Sequence, residues 1–131
     1  MTLGQLNTWV RAHPSLSPIL AAVEKRDDDA AHDLSHLFRV AMWTLKLGKE
    51  AIDPTEAVAA ALLHDLVNVP KDHPDRAKAS EYSARDAMPI LRKAGFSPDS
   101  SDRICEAIRD HSFSRGATPC SELGKSLQDA D

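Results

Sequence analysis

The sequence predicts an all-α domain, and three of its features support this fold class. Apolar residues recur at steps of three and four over most of the chain, which is the period of an amphipathic helix. Half-buried strands show alternating apolar and polar residues, and no alternating segment here is long enough to predict a strand. Proline or glycine stands between most of the periodic segments, where helices end. The pattern predicts about six to seven helices.

The first two predicted helices are short. One runs from Leu3 to Arg11, and the His-Pro pair that follows at 13–14 ends it, because a residue that precedes proline is disfavoured in a helix. The other begins after Pro18, carries apolar residues along one side and ends in the acidic run at 27–29.

The third and fourth helices carry the strongest signals. Asp53 is a plausible N-cap and Pro54 suits the first helical position, so the fourth helix is predicted over Glu56 to Leu66. This helix is apolar almost all round, which predicts a place at the centre of the bundle. The third helix, Asp33 to Lys49, carries an apolar stripe that must face the core, formed by Leu34, Leu37, Phe38, Ala41, Leu45 and Leu47.

Three more helices complete the prediction. The fifth covers Ala77 to Lys93 with a kink at Pro89, and Gly95 is its expected C-terminal cap. The sixth runs from 98 or 99 to 111, and the seventh from 120 to 131. Because its helical pattern is unbroken at the last residue, the chain is expected to be truncated there. Three other residues are expected to serve in packing: Trp9, Trp43 and Cys105.

Composition limits the class of protein. The chain has 131 residues, 42% of them apolar, which is enough for one folded domain. Its 16 basic residues against 20 acidic ones argue against binding to a nucleic acid duplex. The longest apolar stretch, Ala57 to Leu63, is far shorter than the roughly 20 residues of a membrane span. With no secretory signal and no disulfide spacing between Cys105 and Cys120, we expect a cytoplasmic protein with reduced thiols and no membrane segment.

Two groups of residues could carry chemistry. His32 and His36 project from one face of a helix, a spacing that suits a metal ion or a solvent-facing pair equally well. His64 and Asp65 lie at the end of the apolar fourth helix, where an ionised carboxylate needs a partner. A divalent cation would satisfy it, and so would a salt bridge from either basic residue nearby, Arg39 or Lys71.

The order of the motifs resembles the HD superfamily of metal-dependent phosphohydrolases, most closely its small bacterial stand-alone branch. The similarity covers 31–131, so we expect a single HD domain over 1–131, with short N-terminal helices over 1–30 and the motif-bearing core over 31–131. It implies an HD-domain helical bundle. The matching motifs are His-Asp-Leu-Ser-His at 32–36, His-Asp at 64–65, His-Ser-Phe-Ser at 111–114 and Gln-Asp-Ala-Asp at 128–131.

The resemblance implies a set of metal ligands: His36, His64, Asp65 and Asp131. Asp131 is preferred to Asp129 because the last ligand of the family follows an alanine, and the two side chains point roughly 200° apart on a helix. Nitrogen and oxygen ligands together suit Mn²⁺, Mg²⁺, Fe²⁺, Co²⁺ or Zn²⁺, and the sequence does not choose among these divalent ions.

The resemblance also implies hydrolysis of a phosphomonoester or phosphoanhydride bond in a small phosphorylated metabolite, with a nucleotide as the favoured class. A divalent ion would activate a water that Asp65 orients. The second catalytic candidate, His111, could bind phosphate or donate a proton to the leaving oxygen, or it could serve only as a cap.

Three residues are candidates for binding the substrate, and each also has an ordinary structural interpretation. Arg39 follows His36 by three residues and could equally be a solvated surface residue. Lys71 could contact a phosphate or belong to a mobile loop, and His32 could brace the helix. Other functions stay open: a regulatory module that binds metal and nucleotide without catalysis, a cyclic-nucleotide phosphodiesterase, or a purely structural bundle. A homodimer is possible.

Overall fold

The computed structural model describes residues 1–26, 30–67, 72–75, 78–111 and 118–131, and of residues 30–33 it describes the backbone only. This part of the chain contains seven α-helices and no strand, which confirms the predicted fold class. In chain order the helices are α1 (Leu3–Ala12), α2 (Leu16–Arg26), α3 (Ala30–Gly48), α4 (Pro54–Leu63), α5 (Ala79–Lys93), α6 (Pro98–Asp110) and α7 (Glu122–Ala130), with a short 3₁₀ turn at Lys49–Ala51 after α3.

Helix α4 is the centre of the bundle, as its apolar sequence predicts. Asp53 caps it by accepting hydrogen bonds from the backbone N–H groups of Thr55 and Glu56, and Pro54 takes the first helical position. Every residue from Ala57 to Leu63 is buried. Helices α2, α3 and α6 pack around it, since its alanines allow a close approach. Two of these neighbours, α3 and α6, also contact α7, so the last helix closes the bundle.

Several helix ends differ from the predicted ones for local reasons. Helix α2 starts before Pro18, which is tolerated in a first turn because the N–H it lacks would have no helical partner there. Helix α4 ends at Leu63 rather than Leu66, and a turn follows in which the Leu66 N–H donates to the Leu63 carbonyl. The cap at Gly95 is confirmed, since its φ of 99° is readily adopted only by glycine.

Trp43 and Leu47 were expected to pack, and this prediction is wrong: their exposed fractions are 54% and 47%. The buried face of α3 passes through Val40, Thr44 and Gly48 at steps of four. Trp43 and Leu47 each precede one of these residues, so they point roughly 100° away from that face. The Lys46 ammonium lies over the Trp43 ring, 5.1 Å from its centroid.

Within the described part of the chain, no helix combines the length and the apolar character that a bilayer crossing requires.

Candidate metal centre

The C-terminal ends of three helices meet at one place in the bundle. His64 follows the last residue of α4, His111 follows that of α6, and Asp131 follows that of α7. His36 joins them from the side of α3. Because a helix carries partial negative charge at its C-terminus, this convergence favours a cation.

Three of these residues, His36, His64 and Asp131, bring one ligand atom each into a cluster with Asp65. The Nε2 atom of His64 lies 3.3 Å from Asp131 Oδ1 and 3.4 Å from Asp65 Oδ2. The Nε2 atom of His36 lies 3.4 Å from Asp131 Oδ1 and 3.8 Å from Asp65 Oδ2. All four ligand atoms lie within 4.8 Å of one another. The structure thus brings together the four residues that the sequence nominated as metal ligands.

These separations fit a single divalent cation. Ligands at about 2.1 Å from an ion are roughly 3.0 Å apart in an octahedron and 3.4 Å apart in a tetrahedron. The four histidine–aspartate separations lie between 3.3 and 3.8 Å, near the tetrahedral value, so small movements of exposed side chains would complete the coordination. Two imidazoles and two carboxylates suit Mn²⁺, Fe²⁺, Co²⁺ or Zn²⁺ better than Mg²⁺, which prefers oxygen ligands.

The ring of His64 is held in the orientation that a metal ligand needs. Its side chain is fully buried, and its Nδ1 lies 2.5 Å from the carbonyl oxygen of Ala61. A carbonyl can only accept a hydrogen bond, so Nδ1 donates and Nε2 is left to face the cluster. Such a contact behind a ligating histidine sets both its tautomer and its direction.

Charge couples His64 to the two aspartates. Burial lowers the pKa of His64, but the hydrogen bond to Asp131 and the charges of Asp65 and Asp131 outweigh it, so the pKa is raised. The hydrogen bond from His64 lowers the pKa of Asp131 to about 2, against the opposing effect of burial. Without a cation, the two carboxylates therefore favour the protonated form of the His64 imidazole. A bound cation would displace this proton.

His111 lies behind the cluster rather than within it. Its ring is buried and packs edge-on against His64 with the centroids 5.1 Å apart, and its Nδ1 donates to the carbonyl of Ile108. Its Nε2 lies 3.6 Å from Asp131 Oδ2. Burial lowers the pKa of His111, and the charge of His64 lowers it further.

The cluster is closed on one side and open on the other. The side chain of His64 is 0% exposed, whereas those of Asp131, His36 and Asp65 are 30%, 44% and 54% exposed. An ion held here would keep a side that water and a substrate can reach, which is the arrangement of catalytic rather than structural metal sites.

The three substrate-binding candidates and Asp129 lie outside the cluster or outside the described residues. Arg39 is exposed, its guanidinium donates to Ser35 Oγ at 3.0 Å, and among the described residues it forms no salt bridge with Asp65. Lys71 and the side chain of His32 lie outside the described residues. Asp129 is exposed and does not belong to the cluster, whereas Asp131 does.

One contact near the site has no local signal in the sequence, although the residue that makes it opens the Gln-Asp-Ala-Asp motif at 128–131. Gln128 is buried, and its side-chain amide donates to the carbonyl of Asp110 at 3.2 Å. This contact joins α7 to the end of α6, directly before His111. The two partners are 18 residues apart. No local pattern indicates such a contact, because it depends on how the two helices pack.

The comparisons with known proteins address the family. The family model described as HD domain matches residues 33–131, a range that includes all four residues of the cluster and His111. Comparison with curated proteins finds no match, and comparison with solved structures finds none.

Proposed function

Because the chain belongs to the HD domain family, whose members are generally metal-dependent phosphohydrolases, we propose that it hydrolyses a phosphomonoester or phosphoanhydride bond in a small phosphorylated metabolite. The observation that carries this proposal is the cluster of His36, His64, Asp65 and Asp131, which is closed behind His64 and open beside Asp65. We propose nucleotides as the class of substrate.

In this proposal the four residues of the cluster hold one divalent cation. When bound, the cation supplies Lewis acidity, which polarises a phosphate oxygen and lowers the pKa of the attacking water. The exposed carboxylate of Asp65 would use one oxygen as a ligand, and the other would accept a hydrogen bond from the attacking water. The buried ring of His64 would hold its ligand atom still while the exposed residues adjust.

For His111 we propose a supporting role. A proton donor must be protonated near neutral pH, whereas burial and the charge of His64 lower the pKa of His111. Its ring, fixed by the carbonyl of Ile108, packs edge-on against His64 and is well placed to hold that ring in position. Proton donation to the leaving oxygen, the catalytic role suggested by the sequence, is the alternative.

Arg39 is our candidate for contact with the substrate phosphate. It is exposed and lies one turn after His36 on α3, and its contact with Ser35 is a single hydrogen bond to an uncharged hydroxyl, which a phosphate can replace. The roles of Lys71 and His32 stay predictions, as do the homodimer and the cytoplasmic location.

The test combines metal content with phosphate release from nucleoside mono-, di- and triphosphates in the presence of Mn²⁺. We expect the wild-type protein to bind Mn²⁺ and to release phosphate from at least one compound. Asp65→Ala should lose both properties, whereas His73→Ala, which changes an exposed histidine outside the cluster, should lose neither. Binding of Mn²⁺ and nucleotide without any release would overturn the hydrolase proposal and favour the regulatory module.

A further inference from the structure

Ser83 makes an unusual pair of contacts with a single backbone unit. Its side chain on α5 is fully buried. The Ser83 hydroxyl accepts a hydrogen bond from the N–H of Val67 at 2.9 Å and donates one to the carbonyl of the same residue at 3.3 Å. The two residues are 16 positions apart, so the contact ties the segment after α4 to α5.

This contact lies close to Asp65 in the chain. On the N-terminal side of Asp65, the ring of His64 is fixed by the carbonyl of Ala61. On its C-terminal side, Leu66 makes a turn with Leu63 and Val67 is held by Ser83. The Asp65 side chain is 54% exposed, and its carboxylate faces the imidazoles of His64 and His36 at 3.4 and 3.8 Å. Its position therefore depends on these two contacts and on the backbone being fixed on both sides.

We propose that Ser83 is a positioning residue for the metal centre: by clamping Val67, it holds the Asp65 carboxylate where a cation needs it. The inference rests on the proposed role of Asp65 as a metal ligand. Without the hydroxyl, the N–H and carbonyl of Val67 would lose their partner in a partly buried place, and the segment would have to move to reach water. Supporting contacts of this kind affect metal affinity although they never touch the ion.

The same helix offers a matched control. Ser80 lies one turn before Ser83 on α5 and is also buried, but its hydroxyl has no hydrogen-bond partner among the described residues. Ser80→Ala and Ser83→Ala therefore remove the same group from similar surroundings. Only the second substitution removes the clamp on Val67.

Two measurements test the proposal. The first is amide hydrogen exchange at Leu66 and Val67 in the metal-free protein, resolved by NMR. The second is the dissociation constant for Mn²⁺, measured by calorimetry. We expect Ser83→Ala to speed exchange at these two amides at least about tenfold and to weaken Mn²⁺ binding roughly 10- to 100-fold. Ser80→Ala should match the wild type in both measurements.

Three outcomes would overturn the proposal that Ser83 positions Asp65. Exchange in Ser83→Ala could equal that in Ser80→Ala, it could rise equally throughout α4 and α5, or Mn²⁺ affinity could stay unchanged while exchange rises. These results differ from a failure of the proposed function. If the wild-type protein binds no Mn²⁺, the metal centre itself is refuted, and with it the role of Ser83 in positioning a ligand.

Discussion

His64 and Asp131 are 67 residues apart in the sequence, yet His64 Nε2 lies 3.3 Å from Asp131 Oδ1. His64 follows the last residue of the central helix α4, and Asp131 follows the last residue of α7. Since α7 packs against both α3 and α6, the candidate metal centre is complete only when the last helix has docked.

Asp131 and Asp129 provide a direct test of this arrangement. We expect Asp131→Asn to raise the dissociation constant for Mn²⁺ at least tenfold, about 1.4 kcal/mol, because the variant loses a charged ligand. Asp129→Asn removes a nearby carboxylate that is exposed and outside the cluster, so its affinity should equal that of the wild type. Calorimetric titration gives both values. Equal losses in the two variants would mean that only the overall negative charge of α7 matters.

Removal of the metal should lower the thermal stability of the wild-type protein. An ion that binds only the folded state contributes about 2.7 kcal/mol at a hundredfold excess over its dissociation constant. Scanning calorimetry with Mn²⁺, then with excess chelator, should therefore show a clear fall in Tm. Asp65→Ala should have the same Tm in both conditions. If the wild-type Tm is the same with Mn²⁺ and with excess chelator, no ion is bound at this site.

The close packing around α4 predicts a strong effect of added volume. Ala60 is fully buried at the centre of the bundle, whereas Ala21 on α2 is exposed. Ala60→Leu should lower the free energy of unfolding by about 1–3 kcal/mol or more, because the extra carbons have no space. Ala21→Leu should change it by less than about 0.5 kcal/mol. Urea unfolding measures both, and similar values would contradict the central position of α4.

Cys105 should react slowly with alkylating reagents. Burial, helped by the charge of Asp102, raises the pKa of its thiol to about 11. The thiolate is the reactive form, so a raised pKa means less of it at any lower pH, roughly a thousandth at pH 8. In a Cys120→Ser variant, the rate of reaction with iodoacetamide should rise about tenfold per pH unit up to pH 10. In protein unfolded by urea, the rate should stop rising near pH 8.5, because the ordinary pKa of a thiol is about 8.5. If the rate in the folded protein also levels off near this pH, the pKa of Cys105 is not raised.

Features that depend on nearest neighbours in the chain could be predicted from the sequence. The cap at Asp53, the proline that follows it and the glycine after α5 are each recognised within a few residues of the helix end. The apolar surface of α4 likewise indicates burial on all sides. Trp43 shows where such reasoning fails: its helix carries apolar residues over a wide arc, and only packing decides which part of that arc is covered.

The sequence by itself determined the helical class and the central helix, since helical periodicity and capping are properties of neighbouring residues. The four candidate ligands came from the resemblance of its motifs to those of the HD family. Only the tertiary structure decided that the ends of α4, α6 and α7 meet beside α3, that one side of the cluster stays open, and that Ser83 and Gln128 hold the surrounding backbone. These relationships depend on how whole helices pack, and the packing is set by contacts between residues that are far apart in the chain.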